Sequence, residues 1–170
     1  CPSATAYEET SKTTVNDAST SVGDTVVTVT SGTGISAGDI VNFGDQYEYR
    51  VISVATNDLT IVRKEEPQHF VASDSSGLHA TITNGAAVRR RWKYYDLFDK
   101  APGTSPAASA KGGSNDELHI VVVDEDGAIT GTKGDVLETY DAVSKGSDAK
   151  TPQGDVNYYP DVIYNKSNYI

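Results

Sequence analysis

The most constraining feature of this chain is how often it is interrupted. From Asp24 onward, Gly, Asn and Asp cut it into short runs rich in Val, Ile and Thr. Asp24 to Thr30 (DTVVTVT), Ile40 to Phe43, Gln46 to Ala55 and Leu59 to Arg63 each read as a strand. They are separated by SGTGISAGD, by Gly44 and Asp45, and by Thr56, Asn57 and Asp58. Such spacing predicts a small antiparallel β-barrel or sandwich. Val27 and Val29 alternate with Thr28 and Thr30, and Tyr47, Tyr49 and Val51 alternate with Glu48 and Arg50, so each strand should have one wet face. From Lys64 to Gly77 the pattern lapses into a polar loop. Leu78 to Thr83 with Ala87 to Val88 can then supply one or two closing strands, giving a first module over residues 22–88. Residues 1–21, rich in Ser, Thr and Ala with few large apolar groups, read as an extended or loosely attached lead-in.

Residues 89–114 change character. Arg89, Arg90, Arg91, Trp92, Lys93, Tyr94 and Tyr95 are basic and aromatic, and Ala101 to Gly113 is a loop of Pro, Gly, Ala and Ser, so a domain boundary is expected here. The second part, residues 115–170, is dominated by Leu118, Ile120, Val121, Val122 and Val123, a short β-branched run that favours a strand over a helix. Asp124 to Gly127 should turn the chain, with Ile129 and Thr130 beginning the return strand. Another strand is expected over Val136 to Val143. Asn157 to Ser167 predicts a short helix, because Pro160 suits a first turn and Asp161 there complements the helix dipole. A new strand at Tyr169 would make this an α/β unit, cut before it is complete.

The chain has 170 residues, enough for one domain or two small ones. Its net charge of -10 disfavours nucleic-acid backbones and anionic membranes as partners. No apolar run approaches the roughly 20 residues needed to cross a bilayer, and no segment reads as a signal peptide. The single cysteine, Cys1, precludes an intramolecular disulfide. A Cys in first position fits either a processed bacterial lipoprotein or a piece of a longer polypeptide. The lack of Met and the apolar ending Asn168, Tyr169, Ile170 favour the piece.

The chemistry-bearing residues form no catalytic constellation. Asp124, Glu125, Asp126 and Gly127 resemble a calcium loop only superficially, since Ala128, Ile129 and Thr130 break the ligand spacing, and a turn is the better reading. His69, His79 and His119 lie far apart, and none has the partner spacing of a zinc site. His119, between Leu118 and Ile120 on an alternating strand, is expected to be a solvent-side or hydrogen-bonded structural histidine. No nucleophile elbow or phosphate cradle occurs. The sequence therefore predicts no enzyme, no cofactor and no metal. Asn165, Lys166 and Ser167 form a sequon, which means little without a secretory signal. Arg89, Arg90, Arg91, Trp92 and Lys93 are the only basic cluster on an acidic chain. Such a patch can bind nucleic acid. Contact between protein subunits is the preferred reading, because a positive strip on a negative subunit is electrostatically self-complementary.

Several blocks occur in order after Tyr94: APGTS at Ala101 to Ser105, GGSNDELHIVVVDEDGAITG at residues 112–131, S-K-x-S-D-A-K at Ser144 to Lys150, and a terminal N-K-S-x-Y-I. Over roughly Tyr94 to Ile170 the chain resembles the tail sheath protein of large contractile-tailed bacteriophages. The preceding module is similar, more weakly, to small β-modules inserted in virion proteins, through S-x-G-D-x-V from Ser36 and the Val51 to Val54 stretch.

The resemblance implies stacked six-subunit rings around a rigid inner tube, assembled in an extended metastable state that shortens and widens to drive the tube into a cell, with no nucleotide required. It implies identical sheath subunits and the tail tube protein as partners, strands exchanged between neighbours, and a place in the virion. Residues 22–88 would be an outer insertion and Tyr94 to Ile170 the start of a truncated α/β sheath domain. A secreted or lipid-anchored β-rich adhesin or carbohydrate-binding module is the alternative.

Overall fold

A computed structural model describes residues 4–65, 69–70 and 77–170. The chain is mainly β and antiparallel, and it divides into two units. One comprises Glu8–Lys93; the other joins the residues up to Tyr7 with Tyr94–Ile170. Among the described residues, no helix is long and apolar enough to cross a membrane.

The Glu8–Lys93 unit holds a seven-stranded sheet. Its strands are β1 (Glu8–Thr14), β2 (Val26–Thr28), β3 (Ile40–Asn42), β4 (Tyr49–Ala55), β5 (Asp58–Glu65), β6 (His69–Phe70) and β7 (Ala87–Arg91). The paired order is β1-β7-β3-β4-β5-β2, with β6 added to β5. This path is open, so among the described residues no closed barrel forms, and of the expected barrel or sandwich the barrel is corrected. Its two ends, β1 and β2, meet only where the strands run out. There Val15 and Val29 form an isolated bridge, Asn16 N–H donates to Thr28 O and Thr30 N–H donates to Thr14 O.

The alternation seen in the sequence sorts the faces as expected for Val27, Tyr49, Val51, Leu59 and Ile61, all fully buried in one apolar cluster with Phe43, Leu78 and Val88. Burying a side chain of this size stabilises by about 1.5–3 kcal/mol, which a one-sided sheet gains at every second position. The β4–β5 connection is a tight hairpin turn in which Thr56 takes φ 58°.

Three expectations for this unit give way. Residues 8–14, assigned to a loose lead-in, form β1, paired with β7 from Glu8↔Arg91 to Thr14↔Ala87. Composition could not show this, because the strand is polar and its stabilisation comes from a ladder to residues far along the chain. Of the one or two closing strands expected, Ala87–Val88 supplies one within β7 and Leu78 to Thr83 supplies none, although Leu78 and Ile82 are buried. Its backbone is irregular but still held, since the Ile82 N–H donates to Thr20 Oγ1 and Thr20 Oγ1 donates to Ile82 O. Residues 89–91 are not a boundary segment; they complete β7. Of the polar loop expected over 64–77, residues 66–68 and 71–76 lie outside the described residues.

The second unit contains α1 (Ala4–Tyr7), α2 (Pro106–Ala110), β8 (Glu117–Asp124), β9 (Asp135–Ser144) and α3 (Tyr159–Lys166). β8 and β9 pair antiparallel from Glu117↔Ser144 to Asp124↔Asp135. Leu118, Ile120, Val122, Tyr140 and Val143 cluster with Val162 of α3, so the helix covers this two-stranded sheet, which would be marginal by itself. α3 begins as Pro160 and Asp161 direct.

The return strand does not begin at Ile129, which is 58% exposed. The reason is Asp124, whose buried carboxylate accepts the N–H groups of Gly127, Ile129 and Thr130 and the Thr130 hydroxyl. With those three N–H groups taken by Asp124 and the Ala128 N–H by Asp126 Oδ1, residues 127–130 form a loop, and pairing resumes at Asp135. Tyr169 starts no strand either. The Tyr169 and Ile170 N–H groups both donate to Ser167 Oγ, which makes a turn.

Candidate interaction site

β7 carries the basic cluster, and side chains alternate along a strand, so Arg89 and Arg91 lie on one face and Arg90 on the other. Arg90 grips Asp39 in a fork: Nε donates to Oδ2 at 2.9 Å and Nη2 to Oδ1 at 3.3 Å. Only 11% of the Arg90 side chain and 3% of the Asp39 side chain are exposed. Asp39 also accepts the Ser36 N–H, which fixes the tight loop before β3.

On the opposite face, Arg91 donates to Glu48 Oε1 at 2.6 Å and to Glu8 Oε1 at 3.2 Å. Arg89 sits farther from the same carboxylates, at 3.5 Å from Glu48 and 3.9 Å from Glu8. Lys64 completes the cluster at 3.4 Å from Glu48 Oε2. Trp92 is half-buried, and the methylenes of the exposed Lys93 lie against Gly38.

The five residues Arg89, Arg90, Arg91, Trp92 and Lys93 are therefore not one positive strip. Their arginines are divided between two faces and answered by Glu8, Asp39 and Glu48. Sequence reasoning missed all three counter-charges, although Asp39 stands within the S-x-G-D-x-V stretch.

Arg89 and Arg91 rim a groove of about 880 Å³ that also includes Asn42, Asp45, Arg63 and the stacked rings of Tyr47 and His79, 3.8 Å apart. Tyr49, beneath it, donates to Asp45 Oδ2 at 2.6 Å and accepts the His79 N–H. Burial, and then the Asp45 carboxylate, push the Tyr49 hydroxyl well above the ordinary phenol range, so it remains a donor.

In the second unit the polar chemistry gathers at Asp116. Its Oδ1 accepts the Ser105 N–H at 2.8 Å, and its Oδ2 accepts the Ser105 hydroxyl at 2.6 Å and the Ser144 hydroxyl. Ser105 in turn caps α2 by accepting the Ala108 N–H, and Glu117 beside Asp116 accepts the Gly103 N–H. Partial burial works to raise the Asp116 pKa, but the Ser105 and Ser144 hydrogen bonds outweigh it and hold the carboxyl below the usual range. A second node, Glu138 on β9, accepts the Ser167 hydroxyl, the Asn168 N–H and the Tyr140 hydroxyl. Those bonds, the Ser167 one foremost, likewise hold its carboxyl low. Asp124 is held low chiefly by the Thr130 N–H.

His119 has no exposed surface, so the expectation of a solvent-side ring is corrected, and the hydrogen-bonded alternative describes it. The reason is that β8 is covered on both faces at this point, by α3 on one and by Tyr7 and Phe98 on the other. Among the described residues, no three His, Cys, Asp or Glu side chains are grouped to hold a metal. A second groove, of about 820 Å³, runs between β9 and α3 and is lined by Glu138, Asp141, Asp155 and Asp161.

No family model, no curated protein and no solved structure matches this chain.

Proposed function

We infer that this chain is a structural part of the tail sheath of a contractile bacteriophage, a non-enzymatic subunit that polymerises around the inner tube and rearranges to drive it into the host. The observation that carries this reading is the convergence at Asp116. Ser105 ends the APGTS block, Asp116 belongs to GGSNDEL, and Ser144 opens S-K-x-S-D-A-K, and one carboxylate ties them together. The terminal block is tied in the same manner, through Ser167 and Asn168 to Glu138. The residues on which the resemblance rests are thus spent on holding the second unit in shape, which is what a structural role asks of them.

The charge pattern of β7 supports the same class of function. Arg90, forked onto Asp39, and Arg91, bonded to Glu48 and Glu8, offer little to a phosphate backbone without first breaking those pairs, which argues against nucleic acid as the partner. Identical subunits in six-fold rings and the tail tube are the proposed partners, and the virion is the proposed location. On this reading the Glu8–Lys93 unit is the outer insertion and the second unit opens an α/β domain that other segments extend. Contraction then draws on differential contacts between the extended and shortened arrays, since a population shifts only by such differences.

Immunogold labelling of source particles with an antibody raised against Glu8–Lys93 tests this. Regular decoration along striated contractile tails is expected, with the spacing shortening on contraction. Labelling confined to fibre tips or a cell surface would replace the sheath reading with the adhesin.

A further inference from the structure

His119 is buried among α1, β9 and the loop at residues 98–100. Its ring stacks on Phe98 at 4.1 Å and meets Tyr7 edge-on at 5.6 Å. Nε2 lies 2.8 Å from Lys100 O, which can only accept, so this nitrogen keeps its proton. The charge on the ring is decided at Nδ1. That atom is 3.1 Å from the Ala142 N–H and also 3.1 Å from Asp141 Oδ1. One neighbour is a donor and the other an acceptor. A bare Nδ1 satisfies Ala142, whereas a protonated Nδ1 satisfies Asp141, and it cannot do both.

The backbone at this place is bent. Ala142 holds φ 47°, a left-handed conformation that a residue with a Cβ adopts at a cost, and it lies at the register shift opposite Leu118 and Ile120. The Nδ1 bond is one of its restraints. Another is on its carbonyl, which accepts from Asn157 Nδ2 at 3.1 Å. Asn157 O accepts the Ser144 N–H, and Tyr158 directly after it leads into α3. Asp141 and Asn157 both line the groove between β9 and α3.

We propose that His119 is a pH-operated latch on this groove. In acid, one proton from solvent adds to Nδ1, the ring releases the Ala142 N–H and takes the Asp141 carboxylate. The bulge at 141–142 and Asn157 then shift together, so the groove changes its lining. Asp141, 58% exposed, gives the proton its route. Among the described residues, the titratable groups around the ring are few. Tyr7 of α1 has its hydroxyl committed to Tyr95 O and Phe98 O, Lys100 of the loop meets the ring by its carbonyl while its side chain is exposed, and Asp141 comes from β9. The latch does not depend on the sheath reading.

Nitrogen-15 NMR of the histidine rings, read together with amide hydrogen exchange on the full chain, tests it. At neutral pH His119 is expected as the Nε2–H tautomer. On acidification Nδ1 should protonate, and the protection of the Ala142 amide, taken relative to the unfolded chain at the same pH, should fall by about fivefold or more, the loss of one hydrogen bond, in step with the ring. Val121 and Thr139 amides should keep their protection. In Asp141→Ala the ring transition should move to lower pH, with Ala142 as protected as before at neutral pH. The proposal is overturned if the protection factor of Ala142 ignores the ring titration, if Asp141→Ala leaves the transition in place, or if His119 stays neutral until the unit unfolds.

Discussion

Arg90→Ser and Arg89→Ser, two adjacent and chemically identical changes, should differ in cost by several kcal/mol. Arg90 and Asp39 are forked at 2.9 and 3.3 Å with 11% and 3% of their side chains exposed. Removing Arg90 leaves a buried carboxylate without its counter-charge, which costs about 3–5 kcal/mol. Arg89 reaches its carboxylates only at 3.5 and 3.9 Å, with 34% of its side chain exposed, so its loss should cost no more than about 1 kcal/mol. Trp92, the only tryptophan, lies in the Glu8–Lys93 unit and reports its unfolding in urea by fluorescence. Arg90→Ser should lower the midpoint sharply with the slope against urea unchanged, whereas Arg89→Ser should barely move it. Arg90→Met combined with Asp39→Asn should recover much of the loss, because neither charge is then stranded. If Arg90→Ser costs under about 1 kcal/mol, or if the two arginines cost the same, then the fork is not desolvated as argued. Arg89→Ser, with its fold intact, is also the substitution suited to testing whether this strand contacts a neighbouring subunit.

Acid should loosen the second unit through its three clamped carboxylates. Asp116, Asp124 and Glu138 are held below their ordinary values, so their contribution is complete only above about pH 5, where the carboxyls of the unfolded chain are ionised, and it drains away as pH falls through the lower folded values. Asp116→Asn should flatten the dependence of β8–β9 amide protection on pH below about 5, and an unaltered slope would show that Asp116 is not one of the clamps. Gly32→Ala should destabilise the Glu8–Lys93 unit by about 1–3 kcal/mol, since the new Cβ would run into Thr56 O and Val54 Cγ1, and a urea midpoint equal to that of the parent would show that the 56–57 turn can move aside.

Elements that declare themselves by local pattern were legible. β4, β5, β8 and β9 follow from alternation and β-branching, and α3 from Pro160 and Asp161 in its first turn. The misses share a cause. β1 is a polar strand whose partner, β7, lies far along the chain, and the Arg90–Asp39 and Arg91–Glu8 pairs span 51 and 83 residues. Periodicity reports which face of a segment is wet, but not which distant segment covers or neutralises it. The early return strand at Ile129 failed for a different reason, the capture of three N–H groups by Asp124, a side chain that reads equally well as a turn former.

The sequence by itself determined that this is a β-rich chain with a boundary somewhere within residues 89–114, because alternation, turn residues and composition act over a few positions. Tertiary structure decided what the charged and polar residues do. Arg89, Arg90 and Arg91 became internal ion pairs, Asp116 became the tie between three separate blocks, and His119 was enclosed between a donor and an acceptor. The physical reason is that a charge or a hydrogen-bonding group is defined by its partner within about 3 Å, and that partner is set by folding rather than by neighbourhood in the chain.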